Sequence, residues 1–168
     1  MSASLLELDQ IDAAARTIAD VAVITPVRRS AALDRLCGAA LLIKDESRQR
    51  SGSFKFRGAY NRLAAIPTSD RGRGVVAVSS GNHGAAVATA AALLDMPCVV
   101  HVPANVAPAK RAKMLTAGTE LVTFDPSTAD REGPAIEEAA RRGATFVHPF
   151  EDRLVMAGQG TCALELHH

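Results

Sequence analysis

Apolar residues recur with two different periods along this chain. In residues 5–20, Leu5, Leu8, Ile11 and Ala15 repeat every three to four positions, the spacing of one helical face. Thr25-Pro26 reads as a helix start, with Thr25 as N-cap and Pro26 in the first turn. The short helix it predicts runs through Leu33 and Leu36 and stops at Gly38. Ala40–Ile43 is an apolar run of strand length. A second amphipathic helix is predicted over 53–66, with Phe56, Ala59/Tyr60, Leu63 and Ile66 on one face and Pro67 ending it.

A regular alternation then begins. Strands are predicted at Val75–Ser79, Cys98–Val102, Leu121–Phe124 and Thr145–His148. Helices are predicted between them over 82–94, 107–117 (closed by Gly118) and 128–142 (closed by Gly143). Continuous apolar strands alternating with helices specify an α/β fold: a parallel, twisted sheet with helices on both faces. Ligands of such sheets sit beyond the carboxyl ends of the strands. Ser79–Gly84, Pro103-Ala-Asn105, Asp125-Pro126 and His148-Pro149 all fall there. After Phe150 the alternation stops, and Gly158-Gln-Gly-Thr161 is followed by a further predicted helix.

Composition narrows the class rather than the fold. The chain has 168 residues and a formal net charge of +1, so no nucleic-acid partner is implied. No apolar run reaches membrane-spanning length. The N-terminus carries Glu7, Asp9 and Asp12 instead of a basic lead and apolar core, which predicts no secretory leader. The three cysteines, Cys37, Cys98 and Cys162, fit neither a disulfide framework nor a metal spacing. A reducing, cytoplasmic setting is the expectation. Leu166-His167-His168 reads either as natural sequence cut short or as the start of a purification tag.

Two segments carry candidate chemistry. Ser53-Phe-Lys-Phe-Arg-Gly58 places Lys55 in the first turn of a helix, where partial positive charge disfavours an ammonium. Desolvation there would push the side chain toward its neutral amine, a nucleophile able to form a Schiff base. The plain alternative is a surface lysine with its head in water. Ser79-Ser-Gly-Asn-His-Gly84 forms a tight polar turn between a strand and a helix, an arrangement that aims backbone N–H groups at an anion. Such turns also join strands to helices with no ligand. Arg57 has two plain readings, facing solvent or pairing with Glu46. His83 has one as a helix N-terminal donor, and His101 and His148 read as strand-end residues rather than catalysts.

Together, in order, the two segments resemble the lysine motif and asparagine loop of fold-type II pyridoxal-phosphate enzymes, in the threonine/serine dehydratase and serine racemase branch. Thr25-Pro-Val27, Leu42-Ile-Lys-Asp-Glu46 with Gln49, Ala107-Pro-Ala-Lys110, Gly118-Thr-Glu-Leu-Val122, His148-Pro-Phe150 and Gly158-Gln-Gly-Thr161 extend the likeness over most of the chain. Cysteine and cystathionine synthases, whose lysine motif reads more like Ser-Val-Lys-Asp-Arg, are less similar.

The resemblance implies pyridoxal 5′-phosphate as cofactor, held by Lys55 as a Schiff base, with Phe54 against its pyridine ring and Asn82 bonded to its phenolic oxygen. Ser80, Gly81, Asn82 and His83 would hold the substrate, with backbone donors from Ser80, Gly81 and His83 meeting its carboxylate. Lys55 would move the Cα proton, and Ser80 would be the opposite-face acid/base of a racemase. The implied activity is an ammonia-lyase converting L-threonine or L-serine to a 2-oxo acid and ammonia. A serine or amino-acid racemase is the alternative, and a non-catalytic anion-binding α/β module the reading from another class. The implied domains are a large-domain segment at 1–50, a small α/β domain at 51–150 and a return into the large domain at 151–168. Family chains extend well beyond this length and cradle the phosphate in their second half. The chain alone is therefore expected to turn over poorly, and the whole protein to form a dimer or tetramer.

Overall fold

The computed structural model describes residues 5–115 and 118–167; residues 116–117 of the predicted 107–117 helix, and His168, lie outside the described residues. The first helix, α1 (Leu8–Ile18), buries Ala14 and Ile18 while Leu5 and Leu8 stay exposed. The Thr25-Pro26 expectation fails. Those residues lead into a short strand, β1 (Val27–Arg28), paired antiparallel with β2 (Ile43–Lys44). Thr25 is buried, and its hydroxyl donates to Glu46 Oε1 at 2.6 Å instead of capping a helix. Ser30 takes the N-cap of the next helix, α2 (Ala31–Cys37), which ends at Gly38 as expected. Most of the predicted Ala40–Ile43 strand is unpaired; only Ile43 joins the ladder.

The lysine helix, α3 (Lys55–Ala64), turns Phe56, Ala59 and Leu63 fully inward, the face its spacing predicts. After Pro67 the chain makes a 3-10 turn over Thr68–Arg73. The four apolar runs then form β3 (Val75–Val78), β4 (Cys98–Pro103), β5 (Thr119–Phe124) and β6 (Thr145–Phe146), all parallel, in the order β5-β4-β3-β6. The chain steps outward from β3 to β4 and β5, then returns past β3 to β6. This reversal opens a crevice between the ends of β3 and β6, where an α/β sheet places its ligand.

Strand residues alternate between two layers. Val75, Ala77, Val100 and Val102 pack with α3 and with α4 (Asn82–Leu93) and α5 (Pro108–Met114). Val76 and Val99 pack on the other face against Ala135 and Ala139 of α6 (Gly133–Arg142). His101 shares the face of Val99, and its Nε2 lies 2.6 Å from Glu138 Oε2 on α6, a structural contact. The predicted 128–142 helix starts late. Asp130 Oδ1 accepts the N–H groups of Glu132 and Gly133 at 3.1 and 2.7 Å, which favours a turn over a first helical turn.

The last helix, α7 (Arg153–His167), begins earlier than its sequence suggests and contains Gly158-Gln-Gly-Thr161 within it. Gly158 lets α7 cross α3 with the backbones almost touching, while Gly160 faces Ile11 of α1. A Cβ on Gly158 would sit 2.5 Å from the Arg57 carbonyl oxygen, and one on Gly58 would sit 2.5 Å from that of Val155. No helix among the described residues is long and apolar enough to cross a membrane.

Candidate active site

Lys55 is the first residue of α3, so its side chain leaves the helix end facing the crevice. Its Nζ donates to the Pro149 carbonyl at 2.9 Å and lies 3.5 Å from Gln159 Oε1 and 5.3 Å from the centre of the Phe54 ring. No carboxylate lies within ion-pair distance of it among the described residues. Burial therefore acts unopposed and pushes its pKa below the ordinary lysine value. The solvated-lysine reading does not hold: the amine is half-buried and tethered to the loop after β6.

The Ser79–Gly84 loop closes the other side of the crevice. Ser79 Oγ accepts the Gly81 N–H at 3.0 Å and sets the turn, Ser80 and Asn82 stand exposed at its rim, and Asn82 opens α4. Gly84 is obligatory for packing. A Cβ there would lie 2.9–3.0 Å from Met114 Sδ, Ser79 Cβ and Val100 Cγ1. His83 turns inward instead of toward the loop. It is 5% exposed, its Nε2 is 3.0 Å from the Val147 carbonyl, and its Nδ1 has no partner. Burial pushes its pKa down to about 4. The ring is therefore neutral near pH 7, with Nε2–H donating to Val147 and Nδ1 left bare.

Lys55 and His83 thus grip alternate carbonyls, Pro149 and Val147, of one strand end. His148, between them, accepts the Phe150 and Glu151 N–H groups through Nδ1 at 3.2 and 2.8 Å and orders the same loop. Beyond it lies a cavity of about 570 Å³, the size of a small-ligand site, lined among others by Ser80, His83, Asn105, Arg131, Pro149 and Phe150. All four loops at the strand ends contribute to it. Phe54, Lys55 and Asn82 are not among the residues found lining it; Lys55 reaches its wall through Pro149.

A second cluster lies behind the lysine. Arg57 is wholly buried. It bonds Glu46 at 2.8 Å, Glu165 at 2.5 Å and the Val23 carbonyl at 3.1 Å, while Lys44 pairs with Glu165 at 2.5 Å. Burial alone would raise the Glu46 pKa, but hydrogen bonds from Arg57 and Thr25 outweigh it and hold the carboxyl below its usual range. The Arg57–Glu46 pair was readable in sequence as one of two options. Glu165, Gln159 and Arg131 were not singled out; only their distance along the chain hid them.

An amine at a helix end, facing an asparagine loop across the carboxyl edge of a parallel sheet, defines an α/β site for a small ligand that reacts with amines. The chain belongs to the pyridoxal-phosphate dependent enzyme family, whose sequence profile matches residues 18–168. It is 44% identical over 142 residues to an L-threo-3-hydroxyaspartate ammonia-lyase of Pseudomonas sp., covering 84% of this chain and 44% of that protein. It is 36% identical over 162 residues to an L-threonine ammonia-lyase of Thermotoga maritima, covering 96% and 40%. Among solved structures it is similar to maize serine racemase, with a TM-score of 0.91 at 36% identity, covering 97% of this chain and 50% of that one. The fold is therefore that of fold-type II enzymes, and the chain spans about half the length of these relatives.

Membership in this family implies pyridoxal 5′-phosphate, and the residues present fit it. The cofactor needs an amine not locked as an ammonium, and Lys55 has no carboxylate partner among the described residues. Ser51 Oγ and Ser53 Oγ, just before it, are buried hydroxyls without partners. The cavity adjoins the amine through Pro149.

Proposed function

We propose that this chain contributes the lysine and asparagine loop of an ammonia-lyase that converts L-threonine or L-serine to a 2-oxo acid and ammonia. The observation that carries this reading is the Lys55 amine, desolvated, unpaired with any carboxylate among the described residues and tethered at the crevice by neutral groups. When bound, the cofactor drains charge from the substrate Cα. The rest falls to residues of the chain. Lys55 Nζ would hold the cofactor and move the Cα proton. Phe54 would pack against the cofactor's ring, and the Asn82 amide would bond its phenolic oxygen. Backbone N–H groups of Ser80 and His83, at the N-terminal end of α4, would meet the substrate carboxylate, while that of Gly81 is held by Ser79 Oγ. Residues 1–50 and 151–168 belong in this reading to a larger domain and 51–150 to a smaller one. α1 and α7 pack on each other, and both also pack on α3 of the smaller one.

Arg131 on the cavity wall makes no ion pair among the described residues and suits a second substrate carboxylate, which favours 3-hydroxyaspartate as a further substrate. Ser80, exposed on the same wall, favours racemisation as the second reading. Incubation of the whole protein with each L-amino acid separates them: 2-oxo acid marks elimination, and D-amino acid marks racemisation. The visible absorbance of lysine-bound pyridoxal phosphate tests the foundation. Its survival in Lys55→Ala would defeat the assignment. The 168-residue chain by itself is expected to turn over poorly, since it holds about half of its relatives' length.

A further inference from the structure

Lys55, Pro149 and Gln159 form a closed triangle contributed by α3, the loop after β6 and α7. The Pro149 carbonyl accepts from Lys55 Nζ at 2.9 Å and from Gln159 Nε2 at 3.3 Å, while Gln159 Oε1 faces Lys55 Nζ at 3.5 Å. This fixes which way the Gln159 amide points. Turned over, it would set its NH₂ against the amine and its oxygen against the Pro149 oxygen, donor on donor and acceptor on acceptor. Gln159 is itself held by the helix crossing, because its Cγ and Nε2 pack where Gly58 lacks a side chain. The facing titratable group on α4 is His83, neutral and turned to Val147. Among the described residues, the amine is thus bonded to uncharged acceptors and lies near the Phe54 ring face. The lysine is oriented without the counter-ion that would lock it as an ammonium.

We propose that Pro149 and Gln159 form a neutral seat that holds the Lys55 amine whenever it is not bonded to the cofactor, with Gln159 as a positioning residue for that amine. The inference rests on the reading of Lys55 as the cofactor-bearing lysine. It adds the place where the amine waits once substrate has displaced it. Pro149 also lines the cavity, so a seated amine holds the substrate wall in place from behind.

The test uses the whole protein, freed of cofactor. Trace acetylation with acetic anhydride across a pH series, read lysine by lysine by peptide mass spectrometry, gives a titration midpoint for Lys55 with Lys110 and Lys113 as internal references. Gln159→Glu brings a carboxylate to the seat and is expected to raise the Lys55 midpoint by about one pH unit or more. Gln159→Leu removes the oxygen and is expected to lower it by less. Lys110 and Lys113, both exposed, are expected to keep theirs, and Lys44, its side chain buried and paired with Glu165, is expected to keep its low reactivity, which a general loosening of the fold would raise. An unmoved Lys55 midpoint in either variant, with wild-type far-UV circular dichroism, overturns the seat. Pyridoxal phosphate is then added to the wild type. Failure to shield Lys55 from acetylation defeats the functional reading, whereas shielding of a Lys55 that ignores residue 159 defeats only the seat.

Discussion

Lys55 and Arg57 leave the first turn of α3 two residues apart and meet opposite surroundings. Arg57 runs inward to two carboxylates, Glu46 and Glu165, and is wholly buried. Lys55 runs to a backbone carbonyl and an amide oxygen, and no carboxylate answers it. Both groups lose water. For Arg57, burial alone would lower the pKa, but the hydrogen bonds to Glu46 and Glu165 reverse that and raise it. For Lys55, burial stands alone and lowers it. One helix turn therefore separates a charge fixed for structure from an amine kept available for chemistry. What distinguishes them is the partner each side chain finds, not the depth of burial.

The sharpest way to break this contrast is Arg57→Met. It leaves Glu46 and Glu165 facing each other across a buried space, and removal of one partner from such a cluster costs about 3–5 kcal/mol. Urea unfolding of the variant measures it. A loss below about 1 kcal/mol, the value of an exposed pair, would mean that the cluster is solvated and the contrast false.

His83 gives the next effect, through pH. Its folded pKa is pushed down to about 4 by burial, below the ordinary value of 6.5. Between these values the unfolded chain binds a proton that the folded chain refuses, so stability falls as pH drops through that window and rises again on return. The shift corresponds to at most about 3 kcal/mol. His83→Gln is expected to flatten this part of the stability profile measured by urea unfolding at stepped pH. An identical acid slope in variant and wild type would place the sensitivity elsewhere, for instance at Glu138, whose carboxyl is held below its usual range by hydrogen bonds that outweigh burial.

Gly158→Ala follows. The added methyl would meet the Arg57 carbonyl at 2.5 Å, where backbone cannot yield as a side-chain tip can. Overpacking of this kind costs about 1–3 kcal/mol. Because the same crossing carries Gln159 to Lys55 and Glu165 to Arg57, a shifted α7 loosens both sites together. Thermal melting reads the cost, and a variant as stable as wild type would show that the crossing has slack.

These effects mark where the sequence was legible. Val75–Val78 is a continuous apolar strand and Cys98–Pro103 is apolar but for His101; between helices they admit little else. Ser53–Gly58 and Ser79–Gly84 carry their chemistry in adjacent residues. Thr25-Pro26 misled because its local capping signature was overridden by the bond from Thr25 to Glu46, 21 residues away. Gly158 and Gly160 hid a helix because glycine is a poor helix former, and only the approach of α3 explains the glycine at 158. Pro149 was hidden for a simpler reason: a carbonyl that accepts from Lys55 across 94 residues is present in every amino acid and leaves no mark in the sequence.

The smallest effect is the most discriminating. Lys55→Met keeps the apolar stem and removes the amine. An ion-paired, buried lysine would lose kilocalories by this change, as Arg57 does. Lys55 has no carboxylate to orphan, and what it leaves behind is a Pro149 carbonyl that still accepts from Gln159 Nε2 at 3.3 Å. The desolvation it suffers in the wild type disappears with it. The two terms oppose one another, so the cofactor-free variant should match wild-type stability to within about 1 kcal/mol, the range of substitutions that break no buried pair. Chemical denaturation of both proteins without cofactor checks this. A loss like that of Arg57→Met would show the amine to be a structural charge, whereas a neutral result leaves it held in place by groups that do not depend on its proton.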